Sequence, residues 1–407
     1  MDSHLEPYLH RPPGLFPTAM CHNNAITERH TDTMTNSPTD VSTSAPRIMI
    51  APDSYKGTAT ASEAAQYLGE GVLEILPNAS ITLAPMADGG EGTSSVFGGQ
   101  VITLPTTNAA GRLTEASYTL DSETNTAYID IAAASGLPAV ADDPVPTTGD
   151  TYGTGVLIAD AVTRGATRIA LGLGGSATTD AGSGILIALG AVPRNKEGYA
   201  LRTGGADLIN LDYIDTAELN IPAAAVEWIL LTDVDAPATG PQGAATVFGP
   251  QKGATEKDIS LLDAALHHAC AQLEVDGTKP GMGAAGGIAI GLTWLSTLMH
   301  GNDQQIHILP GAPLIARSNG IEDALPETDL LITGEGRLDS QSFTGKVVGT
   351  LHGLAKAHDV DLAVAAGIVE GGIPDDFLAV EMIKSSDVAA QLRDAGRRIA
   401  QEYVAQN

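Results

Sequence analysis

The stretch Arg168 to Gly184, R-I-A-L-G-L-G-G-S-A-T-T-D-A-G-S-G, constrains the chain more than any other. Arg168 to Leu171 is apolar and branched, the pattern of a buried strand. Glycines then crowd the chain at 172, 174, 175, 182, 184 and 190, with Ser176, Thr178, Thr179 and Asp180 among them. Glycine admits positive φ and lets backbone N–H groups come close to a ligand, so a strand followed by such a loop is suited to holding an anion. The apolar run Ile185 to Leu189 is expected to form a helix whose N-terminus adds partial positive charge. The same residues carry two other readings. Gly172, Gly174 and Ala177 fit the G-x-G-x-x-A dinucleotide fingerprint of a nicotinamide-dependent oxidoreductase, with Glu197 as the candidate acidic residue about 20 residues on, although it sits beside Arg194 and Lys196 in a turn-like stretch and does not close a strand. A plain glycine turn that packs a helix against a sheet is the other.

A chain of 407 residues with 43% hydrophobic content has room for two domains and substantial cores. Its formal charge of −28 excludes nucleic acid and anionic membrane as expected partners, since both require basic patches. Only 21 Lys and Arg are present, so Lys56, Lys252, Arg337 and Lys346, each inside a glycine-rich motif, stand out as anion-holding groups. Cys21 and Cys270 are too few for a disulfide framework or a thiolate metal site, which fits a reducing, cytoplasmic setting. No secretory signal is visible. The uncharged run Gly281 to Asn302 is long enough to span a membrane, but its glycines and its Thr293, Ser296 and Thr297 fit a buried loop and helix better.

Residues 1–46 are polar and aperiodic and are expected to be a disordered extension. Arg47 to Ala51 is a strand, followed by P-D-S-Y-K-G and a helix from about Ser62, its expected N-cap, to Leu76. A second strand, Ile81 to Ala84, leads into M-A-D-G-G-E-G-T. Short strands such as Ala116 to Leu120 and Ala127 to Ile131 follow, as in a mixed sheet. A helix with Ile259, Leu262, Leu266, Ala269 and Leu273 on its inner face carries His267 and His268, expected to be surface or satisfied polar groups. The parallel pattern returns with Asp329 to Thr333, Asp361 to Ala366 and Val380 to Ile383, and closes on a helix from about Asp387 to Val404. The expected fold is therefore two-domain α/β: a Rossmann-like, doubly wound parallel-sheet domain from 47–95 and 288–407, with a second α/β domain of mixed sheet, 96–287, inserted. The cleft between two such domains is the expected active site.

Six motifs occur in order: A-P-D-S-Y-K-G at 51–57, A-D-G-G-E-G-T at 87–93, G-G-S-A-T-T-D-A-G at 174–182, V-F-G-P-Q-K-G-A at 247–254, G-A-A-G-G at 283–287 and T-G-E-G-R-L-D-S-Q at 333–341. Together they resemble the bacterial glycerate kinase family, class I, over nearly the whole chain after residue 46. The resemblance implies ATP-dependent phosphorylation of D-glycerate with Mg²⁺, the 2-hydroxyl being favoured over the 3-hydroxyl as acceptor. The chain departs from the family pattern at Thr179 (usually Asn), Ala181 (usually Gly), Asp130 (usually Glu) and Ala236-Pro237-Ala238 (usually Asn-Pro-Leu).

Phosphoryl transfer asks a protein to neutralise charge, align the hydroxyl and exclude water. No G-x-x-x-x-G-K-[ST] is present: Ser340 stands where its first glycine would be and Val347 follows Lys346. Nucleotide phosphates are therefore assigned to the N–H groups of Gly174, Gly175 and Ser176 and of 283–287, notably Gly286 and Gly287, assisted by Lys252 or Lys346. Asp88, Glu91 and Asp339 are the candidate Mg²⁺ ligands. Lys56 and Arg337 are candidates for the glycerate carboxylate or the moving phosphoryl group. Asp180 is the expected general base, with Asp53 as the alternative. For Asp53 and Asp88, helix capping is the competing role, and for Arg337 and Asp339 a mutual ion pair. A non-catalytic small-acid sensor on the same scaffold remains the binding-only alternative.

Overall fold

The computed structural model describes residues 45–406, so the expected disorder of 1–46 lies almost wholly outside the described residues, as does Cys21. Contacts divide the chain into two compact units. One comprises Ala87–Ile315 with Thr344–Lys346; the other comprises 45–86, Ala316–Phe343 and 347–406. Residues 87–95 and 288–315 thus pack with the middle block, not with the outer segments as expected. The physical reason lies in the helix Ile288–His300, whose Ile288, Ile290, Leu292 and Leu295 are fully buried in the core of the middle unit.

The outer unit is built on a five-stranded, all-parallel sheet in the order Leu378–Glu381, Asp361–Val369, Leu330–Leu338, Arg47–Ile50, Ser80–Leu83. Ile50, Ile332 and Ala365 are buried, and so are their alternates Met49, Leu331 and Val364, as a sheet covered on both faces requires. The helices Ala61–Ile75 and Val388–Gln406 lie together against one face. Their approach depends on two glycines: a Cβ on Gly71 would stand 2.0 Å from the Arg393 carbonyl oxygen, and one on Gly396 2.2 Å from that of Leu68. The first helix is capped by Thr60 in a capping box with Glu63 and not by Ser62, because Thr60 has Glu at the third helical position to reciprocate.

The middle unit holds a six-stranded sheet in the order Ile306–Pro310, Glu227–Thr232, Arg168–Gly172, Thr126–Asp130, Leu113–Asp121, Gln100–Thr107. The first four strands are parallel and the last two pair antiparallel, which gives the mixed sheet expected. Trp228, Ile169, Leu171 and Ile129 fill its core. The helix Glu256–Gln272 buries Leu262, Leu266 and Ala269, leaves His267 exposed, and places His268 Nε2 2.7 Å from the Leu211 carbonyl oxygen. Residues 281–287 form a buried loop that leads into the helix Ile288–His300, and among the described residues no helix is long and apolar enough to cross a membrane.

Candidate functional site

In the middle unit, the glycine loop springs from the carboxyl end of the third strand, where parallel sheets present ligand-binding loops. A second loop, 87–94, lies against it, backbone to backbone. Gly174 N donates to the Gly89 carbonyl oxygen at 3.1 Å, and a Cβ on Gly174 would stand 2.5 Å from Gly90 Cα. A Cβ on Gly89 would in turn meet the Leu231 carbonyl oxygen at 2.8 Å. These contacts leave no room for side chains, so both motifs need glycine for close approach as much as for φ. Asp130 pins the second loop: it accepts from Gly92 N at 3.0 Å, Ser94 N at 2.9 Å and Ser94 Oγ at 3.0 Å. Burial pushes its carboxyl up to about 6 against the pull of those hydrogen bonds. Sequence reasoning assigns Asp130 no role; its place at the end of a strand facing a glycine loop is the signal that could have found it.

Asp88 and Glu91 sit on this second loop. Asp88 is buried and its Oδ1 accepts from Gly90 N at 2.9 Å, a turn and not a helix cap, while Glu91 is exposed. Among the described residues, no cluster of three His, Cys, Asp or Glu side chains is placed to hold a metal ion.

On the first loop, Gly175 takes φ +73° and is exposed, whereas Ser176 through Asp180 are buried. Leu137 N bonds to the Gly175 carbonyl and Ala177 N to that of Ser135, so this part of the loop is fastened to 135–137. Lys252, at the end of the V-F-G-P-Q-K motif, reaches beneath it. Its Nζ donates to Ser176 Oγ at 3.1 Å and to the Thr178 carbonyl oxygen at 2.5 Å. Burial pushes this ammonium down to about 8, although Asp180 opposes the shift.

Asp180 does not have the surroundings of an accessible base. It is fully buried, and its carboxylate accepts from Thr151 N, Thr151 Oγ1 and Gly184 N at 2.8–3.0 Å and from Gly182 N at 3.3 Å. Desolvation raises its carboxyl while these donors lower it. Gly286 and Gly287 are also buttresses. Both have positive φ, and a Cβ on Gly286 would stand 2.1 Å from the Thr178 carbonyl oxygen. The neighbouring amides of Gly283 and Gly287 already donate to Ala236 and Ala284. Ala181, where the family usually has Gly, keeps the left-handed φ of +53°. The helix that follows is only Ser183–Ala188, with Gly182 at its N-cap, and it begins well after the fingerprint glycines Gly172 and Gly174. That spacing does not match the dinucleotide fingerprint, in which the glycine turn opens directly into the helix.

In the outer unit, the motifs at 51–57 and 333–341 occupy the carboxyl ends of adjacent strands. Asp53 N donates to the Gly334 carbonyl at 2.9 Å and Tyr55 Oη to that of Ala365 at 2.7 Å. Asp53 is buried, with Oδ1 2.6 Å from Ser54 N, and Lys56 is exposed. Arg337 pairs with Glu370 at 3.4 Å and not with Asp339, whose Oδ1 accepts instead from Gln341 N at 2.8 Å. Of the expected site residues, then, Asp88, Glu91, Gly174 to Ser176, Asp180, Lys252, Gly286, Gly287 and Lys346 belong to the middle unit; Asp53, Lys56, Arg337 and Asp339 belong to the outer one.

These features define a two-unit α/β protein whose glycine loops are stacked at the carboxyl edge of a mixed sheet. The glycerate kinase family model matches residues 48–402. A glycerate kinase of Halalkalibacterium halodurans is 36% identical over 376 residues, covering 87% of this chain and 97% of that one. A glycerate 2-kinase of Escherichia coli is 38% identical over 338 residues, covering 80% and 86%. A solved structure from Salmonella typhimurium, given as a glycerate kinase 2, matches with a TM-score of 0.76 at 34% identity, covering 89% of this chain and 99% of that one. The chain belongs to the glycerate kinase family.

Proposed function

We propose that the chain is an ATP-dependent kinase of D-glycerate that favours the 2-hydroxyl. Family membership across 48–402 carries this reading, and the chemistry of the glycine loop agrees with it. The amides of Gly175 and Ser176 are the donors assigned to nucleotide phosphate, because Gly174 N is already bonded to Gly89 and the 283–287 loop is occupied in supporting Thr178 to Ala181. Lys56 and Arg337 are assigned to the glycerate carboxylate and the moving phosphoryl group, Arg337 offering a planar fork.

A glycerate hydroxyl oxygen attacks the γ-phosphorus, the bond from that phosphorus to the bridging oxygen of the β-phosphate breaks, and ADP leaves. Asp53 takes the place given to Asp180 as acceptor of the hydroxyl proton, because every oxygen of Asp180 is engaged. Mg²⁺ fits the donor set of the 87–94 loop: a hard cation takes one or two carboxylates beside phosphate oxygens, and Asp88 and Glu91 supply them, with Asp339 as the outer unit's candidate. When bound, it would neutralise charge on the phosphates. D-glycerate and ATP are the small-molecule partners in this reading, and the setting is cytoplasmic.

A coupled assay for ADP release tests the proposal. Release that depends on D-glycerate supports it; a change in nicotinamide absorbance instead points to the oxidoreductase, and neither response points to a sensor.

A further inference from the structure

Lys252 lies behind the glycine loop, 3% exposed, and both groups its ammonium contacts are neutral oxygens, Ser176 Oγ and the Thr178 carbonyl. It makes no ion pair with a carboxylate among the described residues; the charged group that acts on it is Asp180, whose oxygens are taken by backbone and hydroxyl donors. A buried ammonium without a counter-ion is costly, and the cost falls when an anion arrives within reach. Its effect on Ser176 is specific. A serine hydroxyl has one hydrogen and two lone pairs, and a lysine can only donate. With Lys252 donating into Oγ, the Ser176 hydrogen must be given to something else, and no acceptor for it exists among the described residues. The amides of Gly175 and Ser176 likewise donate to no backbone acceptor among the described residues. Three donors in two residues, backed by a buried positive charge, form a surface that lacks only an anion.

We propose that Lys252 is a positioning residue for nucleotide phosphate: it fixes Ser176 as a hydrogen-bond donor and supplies the counter-charge for a phosphate oxygen held at Gly175 and Ser176, acting through Ser176 Oγ without touching the phosphate. The inference rests on the kinase reading and deepens it. It also sets a sign for pH. Lys252, pushed down to about 8 by burial, is drawn back towards its ordinary value when an anion binds, so nucleotide affinity is full below that pH and falls as pH rises through it.

The test is ADP binding to the full chain by calorimetry, with D-glycerate KM measured alongside, for wild type, Ser176→Ala, Lys252→Met and the double variant. Each single change is expected to weaken ADP binding by about tenfold or more, the loss of one charge-assisted hydrogen bond. The double variant should be little weaker than the worse single one, since the two groups act as a unit. The decline in wild-type affinity between pH 7.5 and 9.5 should vanish in Lys252→Met, a change that a merely structural lysine would not produce. Ser176→Ala removes only an oxygen, and it keeps the test open should Lys252→Met fail to fold. Additive losses, an unchanged pH dependence, or a loss that falls on glycerate KM in place of ADP would overturn the inference. A wild-type chain that binds ADP but releases none in the presence of glycerate would instead overturn the kinase reading.

Discussion

Thr151 and Asp180 bind each other twice: the threonine gives both its amide (2.9 Å) and its hydroxyl (2.8 Å) to one carboxylate oxygen, and its own Oγ1 then accepts from Ile185 N at 3.1 Å. One buried carboxylate thereby fastens the starts of the helices Tyr152–Thr163 and Ser183–Ala188, which pack against each other.

Asp180→Asn puts an amide NH₂ among groups that are all donors. We expect it to destabilise the chain by about 2–4 kcal/mol, the scale for breaking a buried charged hydrogen-bond network. Urea unfolding measures the loss. A normally stable Asp180→Asn protein with a selectively depressed kcat would restore Asp180 to the chemistry.

The stacked loops leave Gly174→Ala nowhere to put its methyl group. The Cβ would need the space held by Gly90 Cα at 2.5 Å, so the two loops must part. A cost of about 1–3 kcal/mol is expected, with loss of nucleotide affinity. Gly336→Ala, which meets nothing within 4 Å, is the control and should shift stability by less than about 0.5 kcal/mol. Thermal unfolding compares the two.

Arg337 and Glu370 are both largely exposed, so their 3.4 Å pair is worth little to the fold. Glu370→Gln should leave the melting temperature nearly unchanged. Arg337→Lys keeps the charge and loses the fork, and should lower kcat/KM for glycerate by about tenfold or more. Unchanged kinetics would assign Arg337 to the loop ion pair alone.

Glu227 makes one contribution to the pH dependence of the middle unit's sheet. The His307 side chain 3.2 Å away, joined by Arg168, holds its carboxyl down to about 2. A depressed carboxylate contributes stability above its unfolded value of 4.5, and that contribution drains away as pH falls through 2. Glu227→Gln should flatten the acid limb of a stability profile recorded between pH 5 and 2; an unaltered limb would rule out this pair as its origin.

Much of the fold is written locally in the chain. Strand 168–172, the glycine positions and the helix stripes follow from periodicity and turn chemistry, which are near-neighbour properties. The role of Asp180 was not legible, because a carboxylate that caps two helices and one that takes a proton have the same local sequence. Only the distant Thr151 decides between them. Gly286 illustrates the same limit: its letters suit a phosphate cradle, and packing on Thr178 makes it a support. The unit boundary shifted for a related reason, since the burial of Ile288–His300 depends on partners remote in sequence.

The most direct test of the proposed reaction is ³¹P NMR of the purified full chain with ATP, Mg²⁺ and D-glycerate. We predict that the γ-phosphate signal of ATP decays as a phosphomonoester signal, that of 2-phosphoglycerate, grows in equal amount with ADP. A γ-phosphate signal that is unaffected by glycerate would contradict the assignment.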